Sequence, residues 1–442
     1  MSLNKLIKNT ITYGLGVVAS RGVALILLPI YTAYFSTERY GSIELITTLI
    51  QFLIVFGSLQ IETAYQRYYY SEESKNNLMV SLCLVSIFSL CSSLLAMFFA
   101  EEISTYITGG IDKEVIKSIY LLFGLIMLTN VNTIIQIELR NSDRLIAFNV
   151  LTFIQVIVSA IYTIGALHYI SVSIYHVFLG QLLGLIVYFL FSLRFFYSKL
   201  VSQLSFNVST AREIFQYALP QVPARILSFA NIYSNRVLVL IFLSSTEVGI
   251  LSVAIKIASI SMLIHQAFVM SWGPYVFKKD FTQKQTLREI ENVFKYLLVA
   301  IAILVIIFTL LASPLQSILS SNEYEPATKL IAGFAFANVL LIVKEIVDIG
   351  PKVKNQTKYI SYTYAIATLT SLASLIILLP IIGLVGAVVS SIFSNITLVV
   401  ASWYYTEKML DIKYNRMWFI GITFILSLAL ISQYLILGSH NY

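Results

Sequence analysis

Long apolar runs, separated by short polar segments, fill the chain from end to end. Crossing the hydrocarbon core of a bilayer takes about 20 mostly apolar residues at about 1.5 Å of helical rise each. Thirteen runs meet that length, at 10–35, 41–66, 78–100, 117–139, 146–168, 174–197, 213–243, 247–277, 291–312, 328–349, 358–380, 383–404 and 416–437. The longest polar connections, 198–212, 278–290 and 405–415, are too short to enclose a core and predict loops or interfacial helices. The pattern therefore predicts an all-α polytopic membrane protein of 12–14 spans whose surroundings are the lipid bilayer. The basic opening MSLNKLIKNT leads into an apolar run longer than a signal-peptide core, so that run is read as the first span.

Composition agrees. Of 442 residues, 58% are hydrophobic and 12% charged, about half the roughly 25% charge of a soluble domain. That excludes a soluble enzyme, and the high hydrophobicity excludes a disordered chain. The net charge of +7 would suit nucleic acid if it were gathered in one patch, but it is distributed by side. With the N-terminus inside, twenty of the 29 Lys and Arg fall in inner segments and four in outer ones, the remaining five lying within spans. This is the inward bias of cytoplasmic loops, so the charge orients the chain with a cytoplasmic N-terminus, and nucleic acid is not an expected partner. Cys83 and Cys91 fall in one apolar run and read as packing residues, and no His, Cys, Asp or Glu spacing suggests a metal.

Two turns resemble each other. FSTERYGSIELI follows span one and LSSTEVGILSVA follows span seven, with Gly41 matching Gly249, and each follows a proline-containing span (Pro29; Pro220 and Pro223). A repeat of six spans, an even number, keeps both copies in the same orientation, related by a pseudo-two-fold axis along the membrane normal. The expected organisation is an N-terminal lobe at 1–200, a cytoplasmic linker at 201–211, a C-terminal lobe at 212–406 and an additional span at 416–437. Two such bundles commonly rock to give alternating access, so transport is the default function.

Charge within spans locates the chemistry, because each buried charge costs about 2.5–3.5 kcal/mol on insertion scales. Arg21 lies about 16 Å into span one, Arg225 about 18 Å into span seven and Lys256 about 14 Å into span eight, counted at helical rise. No acid occurs in these spans beyond their edges. Cations without acids ask for an anionic ligand, whose oxygens the planar Arg fork fits. The alternatives are pairing with backbone carbonyls or with Glu44 or Glu62 of span two. Arg236, near the outer end of span seven, is a candidate for the rim of a cavity together with Asn231 and Gln51. Lys344, Glu345 and Asp348 cluster near the inner end of span ten; Lys344 and Asp348 are four apart and pair on one helix face, and with Glu62 they are the candidates for ion pairing or ion coupling. Pro220 and Pro223 should bend span seven beside Arg225, and Pro29 is a third candidate hinge. The polar span residues Asn130, Asn132, Asn338 and Asn395 are either sugar ligands or interhelical hydrogen-bonders. No catalytic constellation, cofactor motif or phosphate-binding loop appears.

The sequence resembles the bacterial oligosaccharide flippases of the Wzx type, within the MOP superfamily that also holds MATE-type exporters and lipid II flippases. The resemblance covers about residues 1–406 and rests on NKLIKNTITYGLG, LLPIYTAYFSTERYGSIELI, YALPQVPARI, SNRVLVLIFLSSTEVGILSVAIKIA, the WGPYVFK run and LPIIGLVGAVVSS. It implies a two-lobed bundle in the bacterial cytoplasmic membrane that passes an undecaprenyl-diphosphate-linked oligosaccharide to the outer leaflet for surface polysaccharides such as O-antigen or capsule. A cation-lined cavity, filled here by Arg21, Arg225 and Lys256, would take the diphosphate, and a glycan polymerase and chain-length regulator are the partners such a role brings. The family often carries an acid before the arginine late in span seven, where this chain has Asn235. A MATE-like exporter of small molecules is the alternative, and a membrane glycan polymerase or ligase a more distant one, since the outer connections 101–116 and 313–327 are modest.

Overall fold

The computed structural model describes residues 25–69, 77–202, 206–276, 279–354, 356 and 358–439. Among them there are helices and no strands. In the first half these are α1 (Leu25–Tyr34), α2 (Thr37–Ser58), α3 (Ile61–Tyr68), α4 (Asn77–Phe98), α5 (Ala100–Thr108), α6 (Lys113–Tyr120), α7 (Leu122–Asn141), α8 (Leu145–Tyr169), α9 (Ile174–Ser202) and α10 (Val208–Ala218). A 3-10 turn, Leu219–Gln221, leads to α11 (Val222–Phe242). There follow α12 (Ser245–Ala258), α13 (Ile260–Val276), α14 (Lys284–Leu319), α15 (Thr328–Val347), α16 (Ile349–Val353), α17 (Lys358–Ile382), α18 (Leu384–Met409) and α19 (Arg416–Ser439).

Eleven of the described helices, or pairs of helices in line, are long and apolar enough to cross a membrane. They correspond to expected spans two to twelve. Span one is described only from Leu25, as α1, and span thirteen corresponds to α19.

The structure departs from the simple run pattern where spans break. Span two breaks at Leu59 and Gln60, span four at Leu121, span seven at the 3-10 turn and span eight at Ser259. The break in span seven falls at Pro220, as its missing N–H and ring predict. Span nine is instead longer than expected, because Leu287, Ile290 and Phe294 are buried on the face continued by Leu298 and Ile301. The polar segment 278–290 is thus partly helical, and Lys279 closes on Glu289 at 2.6 Å.

The two similar turns have the same local structure. Ser36 caps α2 by accepting from Arg39 N–H, and Ser244 caps α12 by accepting from Glu247 N–H. Aligning Gly41 with Gly249 brings the two capping serines into register, a stronger equivalence than the shared Ser-Thr-Glu string.

The chain divides into two compact units, Met1–Phe229 and Ala230–Tyr442. The expected linker at 201–211 is not where the first unit ends, because Ala211, Ile214 and Ala218 of α10 pack into that unit's core beside Ile61, Tyr65 and Leu84. The repeat and the compact units accordingly have different boundaries.

In the first unit α7 packs against α2, α4 and α9, while α8 lies on α9 and leaves Ile146, Val150, Phe153 and Ile161 exposed. An apolar surface of that kind is what a helix shows to lipid. In the second unit α15 is buried around most of its circumference, enclosed by α12, α13, α14 and α18. The last span is part of this core: Phe419 and Leu426 of α19 pack with Trp403, Tyr414 and Phe294.

Asn residues tie the spans together. Asn130 donates to Ser89 Oγ at 2.8 Å, Asn132 to the Leu185 carbonyl at 3.1 Å and Asn395 to the Ala337 carbonyl at 2.7 Å. Asn338 donates to the Ala258 carbonyl and Ser261 Oγ, both at 3.2 Å, and so secures the break in span eight. α17 and α18 meet at Gly386, where an added Cβ would lie 2.7 Å from the Leu378 carbonyl carbon. Gly386→Ala is therefore expected to destabilise the second unit by about 1–3 kcal/mol, read as an earlier thermal unfolding in detergent.

Candidate functional site

In the first unit two broken spans meet. α2 ends at Leu59, whose N–H bonds the Val55 carbonyl, and both Leu59 (φ 45°) and Gln60 (φ 61°) are in the left-handed region before α3 begins. Neither is glycine, so the pair holds strain of about 1–2 kcal/mol per residue, of the kind found at functional sites. Gly57 does not relieve it, since it is used for close approach: a Cβ there would lie 2.5 Å from Asn130 Nδ2 and 2.7 Å from Ser89 Oγ.

Directly after this break stands Glu62. Its Oε1 faces Gln60 Nε2 at 3.3 Å and Ser58 Oγ at 3.5 Å, while its Oε2 is buried without a hydrogen-bond partner. The break in span seven approaches from the other side: Thr63 Oγ1 donates to Gln221 Oε1 at 3.4 Å, and Gln221 Nε2 donates to the Tyr217 carbonyl at 2.9 Å. One turn beyond Gln221, the exposed Arg225 interacts electrostatically with the Glu62 carboxylate without an ion-pair contact. Arg225 thus lies near the level where span two approaches its inner end. Arg67, one turn further along α3, stacks over the Tyr217 ring at 4.5 Å.

The remaining span-seven and span-eight candidates belong to the second unit. Arg236, expected at a cavity rim, is buried: its Nε donates to Ser252 Oγ at 3.2 Å and its guanidinium lies 5.7 Å from the Tyr233 ring centre. Lys256 is half-buried in the last turn of α12, where a cation is favoured by the helix dipole and lies next to the break at Ser259. Asn231 and Gln51 are half-buried, on α11 and α2. Pro29 lies in α1, followed by Thr32, whose hydroxyl donates to the Leu28 carbonyl at 2.9 Å. Arg21 lies outside the described residues.

The charges at the end of α15 form a closed network. Lys344 Nζ is 2.5 Å from Asp348 Oδ2 and 3.3 Å from Glu345 Oε1, while Lys352 Nζ is 2.9 Å from Glu345 Oε2 and 2.8 Å from Asp348 Oδ1. Lys344 and Asp348 are almost fully buried. Two cations balance two anions, with His265 Nε2 3.9 Å from Glu345 Oε1. Trp272 Nε1 donates to the Glu345 carbonyl and Tyr414 OH to the Ile346 carbonyl, both at 3.0 Å, so α13 and the segment before α19 are fastened to the same place. Lys352 was readable only as an inner-loop charge; its spacing of four from Asp348 was the available signal.

One buried acid escaped the sequence reading. Glu138 of α7 accepts from Tyr65 OH, and from Tyr69 OH at 3.3 Å. It falls at the end of span four beside Arg140, and its tyrosine partners are some 70 residues away along the chain. Among the described residues no group of His, Cys, Asp and Glu could hold a metal ion.

The family model for polysaccharide biosynthesis proteins matches residues 6–279, more than half of the chain. A curated relative, the probable low-salt glycan biosynthesis flippase Agl15 of Haloferax volcanii, is 24% identical over 213 residues, which are 47% of this chain and 45% of that protein. The chain thus matches about half the length of that relative. Among solved structures, the lipid II flippase MurJ in an inward-closed conformation superposes with a TM-score of 0.72 at 16% identity, over 96% of this chain and 93% of that one. An inward-facing MATE-family multidrug resistance transporter gives 0.64 at 12% identity, over 89% and 94%. A MOP-superfamily transporter from Pyrococcus furiosus, described as having a binding pocket of reverse polarity, gives 0.59 at 14% identity, over 91% and 95%. These likenesses establish the fold, that of a multi-pass, all-helical membrane protein.

Proposed function

The chain belongs to the polysaccharide biosynthesis protein family, and on that premise we propose that it carries a lipid-linked oligosaccharide across its membrane by alternating access. It acts as a transporter and not an enzyme. The substrate is an undecaprenyl-diphosphate-linked oligosaccharide, taken up at the cytoplasmic leaflet of a bacterial inner membrane, with the chain's N-terminus on that side. The six-span repeats rock against each other, and the glycan leaves at the outer leaflet to supply O-antigen, capsule or a comparable surface polymer. A glycan polymerase and a chain-length regulator then act on the product.

Arg225 is the observation that carries this reading. It is a guanidinium on a broken span, exposed and outside ion-pair contact with Glu62. Such a cation has its full hydrogen-bonding fork available for phosphate oxygens. Arg21 and Lys256 complete the proposed set of cations, with Asn231 and Gln51 as polar contacts for the sugars. Pro29, Pro220 and Pro223 serve as hinges, Pro220 within the 3-10 turn and Pro223 just after it.

The second reading, a MATE-like exporter of small cationic molecules, is favoured by the fold alone. Its substrates would call for acids where this chain has cations. Deleting the gene in its own cells separates the two. The flippase reading expects loss of the surface glycan and accumulation of its lipid-linked precursor, with drug sensitivity unchanged. Retention of the glycan with new sensitivity to cationic drugs would move the assignment to the exporter.

A further inference from the structure

Beside the break in span seven the first unit carries an open groove of about 720 Å3 between α4 and α10. Leu84 of α4 lines it together with Phe206, Val208, Phe215 and Leu219. Phe215 meets Phe88 of α4 edge to face at 5.6 Å, which fixes the two helices against each other along the groove. Phe206, Val208 and Leu219 are nonetheless exposed, and an apolar surface of this kind in a membrane-spanning chain is covered by lipid. α10 begins in the polar connection 198–212, so the groove lies at the membrane–water interface, the level of the lipid phosphates. Arg212 is the one charged residue in the lining. It is exposed, and among the described residues it is in no ion pair or hydrogen bond through its side chain. The neighbouring Glu213 is not in the lining, because successive helical residues do not share a face. Val208, the first residue of α10, brings the positive end of that helix to the same groove, behind the Asn207 cap that accepts from Ser209 N–H at 2.9 Å.

We propose that this groove is a binding site for one anionic phospholipid of the surrounding bilayer, with an acyl chain laid between α4 and α10 and the phosphate held by Arg212. The occupant follows from the two chemistries that the groove joins. A neutral lipid covers the apolar lining but leaves the guanidinium without a counter-charge, and a soluble anion pairs with Arg212 but leaves the apolar lining bare. An anionic phospholipid supplies both, and the groove's volume is that of a site for a single small molecule. The site has a structural consequence. α10 buries Ala211, Ile214 and Ala218 in the core of the first unit and leads straight into the 3-10 turn at Leu219–Gln221, and Leu219 and Pro220 of that turn are themselves in the lining. A lipid seated there braces the segment that enters the break. This lipid is resident and is not the transported molecule, so the inference does not depend on what the chain transports.

The test uses the purified full chain, delipidated in detergent and given equal amounts of phosphatidylglycerol and phosphatidylcholine, with retained lipid counted by native mass spectrometry. Wild type is compared with Arg212→Gln, Arg212→Lys and Gln216→Trp, the last placing an indole in the groove from an exposed position in its lining. These positions are exposed, and thermal unfolding of each variant checks that it is folded. Wild type is expected to retain one phosphatidylglycerol with about fivefold preference over phosphatidylcholine, the scale of one basic side chain at an anionic membrane surface. Arg212→Gln should lose the preference, Arg212→Lys should keep it, and Gln216→Trp should retain neither lipid. Equal retention of the two lipids by wild type overturns the proposal, as does a preference that survives in Arg212→Gln. Undiminished retention in a folded Gln216→Trp overturns it too, because the lipid would then sit elsewhere. A final arm adds undecaprenyl phosphate to the wild type loaded with phosphatidylglycerol. Displacement by far less than an equal amount gives the groove to an isoprenoid chain and overturns the phospholipid as its occupant, and retention of phosphatidylglycerol supports it.

Discussion

Replacing Arg225 by alanine is expected to abolish surface-glycan display while leaving the protein as abundant and as thermally stable as wild type. The two halves of that expectation have different physical origins. Arg225 is exposed and outside ion-pair contact with Glu62, so its removal is a surface-type change, within about 0.5 kcal/mol for stability. Its contact with a diphosphate would be a charge-assisted, bidentate hydrogen bond worth about 1.5–3 kcal/mol, or roughly 10- to 150-fold in affinity. Arg225→Lys keeps the charge and loses the fork, and is expected to restore display partly. The measurement is polymer display in cells lacking the native copy, with membrane abundance determined for each variant. An abundant alanine variant that displays normal polymer would make Arg225 a structural residue.

The network at the end of α15 gives the opposite pattern. Asp348 is 1% exposed and contacts both Lys344 and Lys352. Asp348→Asn keeps the shape and removes the charge, leaving the buried Lys344 ammonium with the longer 3.3 Å contact to Glu345 as its nearest carboxylate. Breaking a buried pair from one side costs about 3–5 kcal/mol, so this variant is expected to unfold many degrees earlier in detergent and to accumulate poorly in membranes. The paired change Lys344→Met with Asp348→Leu removes both charges and is expected to recover much of that loss. It also separates structure from coupling. If the paired variant is stable and still supports display, the network is a fastening for α13, α15 and the segment before α19. If it is stable but inactive, Lys344, Glu345 and Asp348 take part in ion coupling.

The spans were legible because lipid imposes a length and a composition that soluble cores do not. The break at Pro220 was legible for the same kind of reason, since proline cannot donate within a helix. The break at Leu59 and Gln60 was not. Neither residue favours the left-handed region, and the nearby Gly57 serves the contact with Asn130 and Ser89 instead. The repeat was visible in two turns, and its capping serines confirm a local equivalence that the string comparison only approximated. The end of the first unit was hidden because α10 begins in a polar segment yet buries Ala211, Ile214 and Ala218.

At the candidate site, the separation of four between Lys344 and Asp348 predicted their contact, whereas the closing of the network by Lys352 depends on the short helix α16. Glu62 could be marked as an acid near a span end. Its orphaned oxygen and the approach of Thr63 to Gln221 depend on two helix breaks about 160 residues apart, which no local pattern encodes. Polar residues resolved more simply: Asn130, Asn132, Asn338 and Asn395 satisfy hydrogen bonds between helices, as buried amides in lipid must.

Translocation itself is most directly measured in proteoliposomes containing only this chain and a lipid-linked diphosphate oligosaccharide labelled on its sugar, with a membrane-impermeant lectin reporting which leaflet holds the glycan. Wild type is predicted to move the label between leaflets well above protein-free vesicles, and Arg225→Ala to fall to the protein-free rate. Wild-type vesicles that never move the labelled lipid, yet expel a cationic dye, would contradict the account.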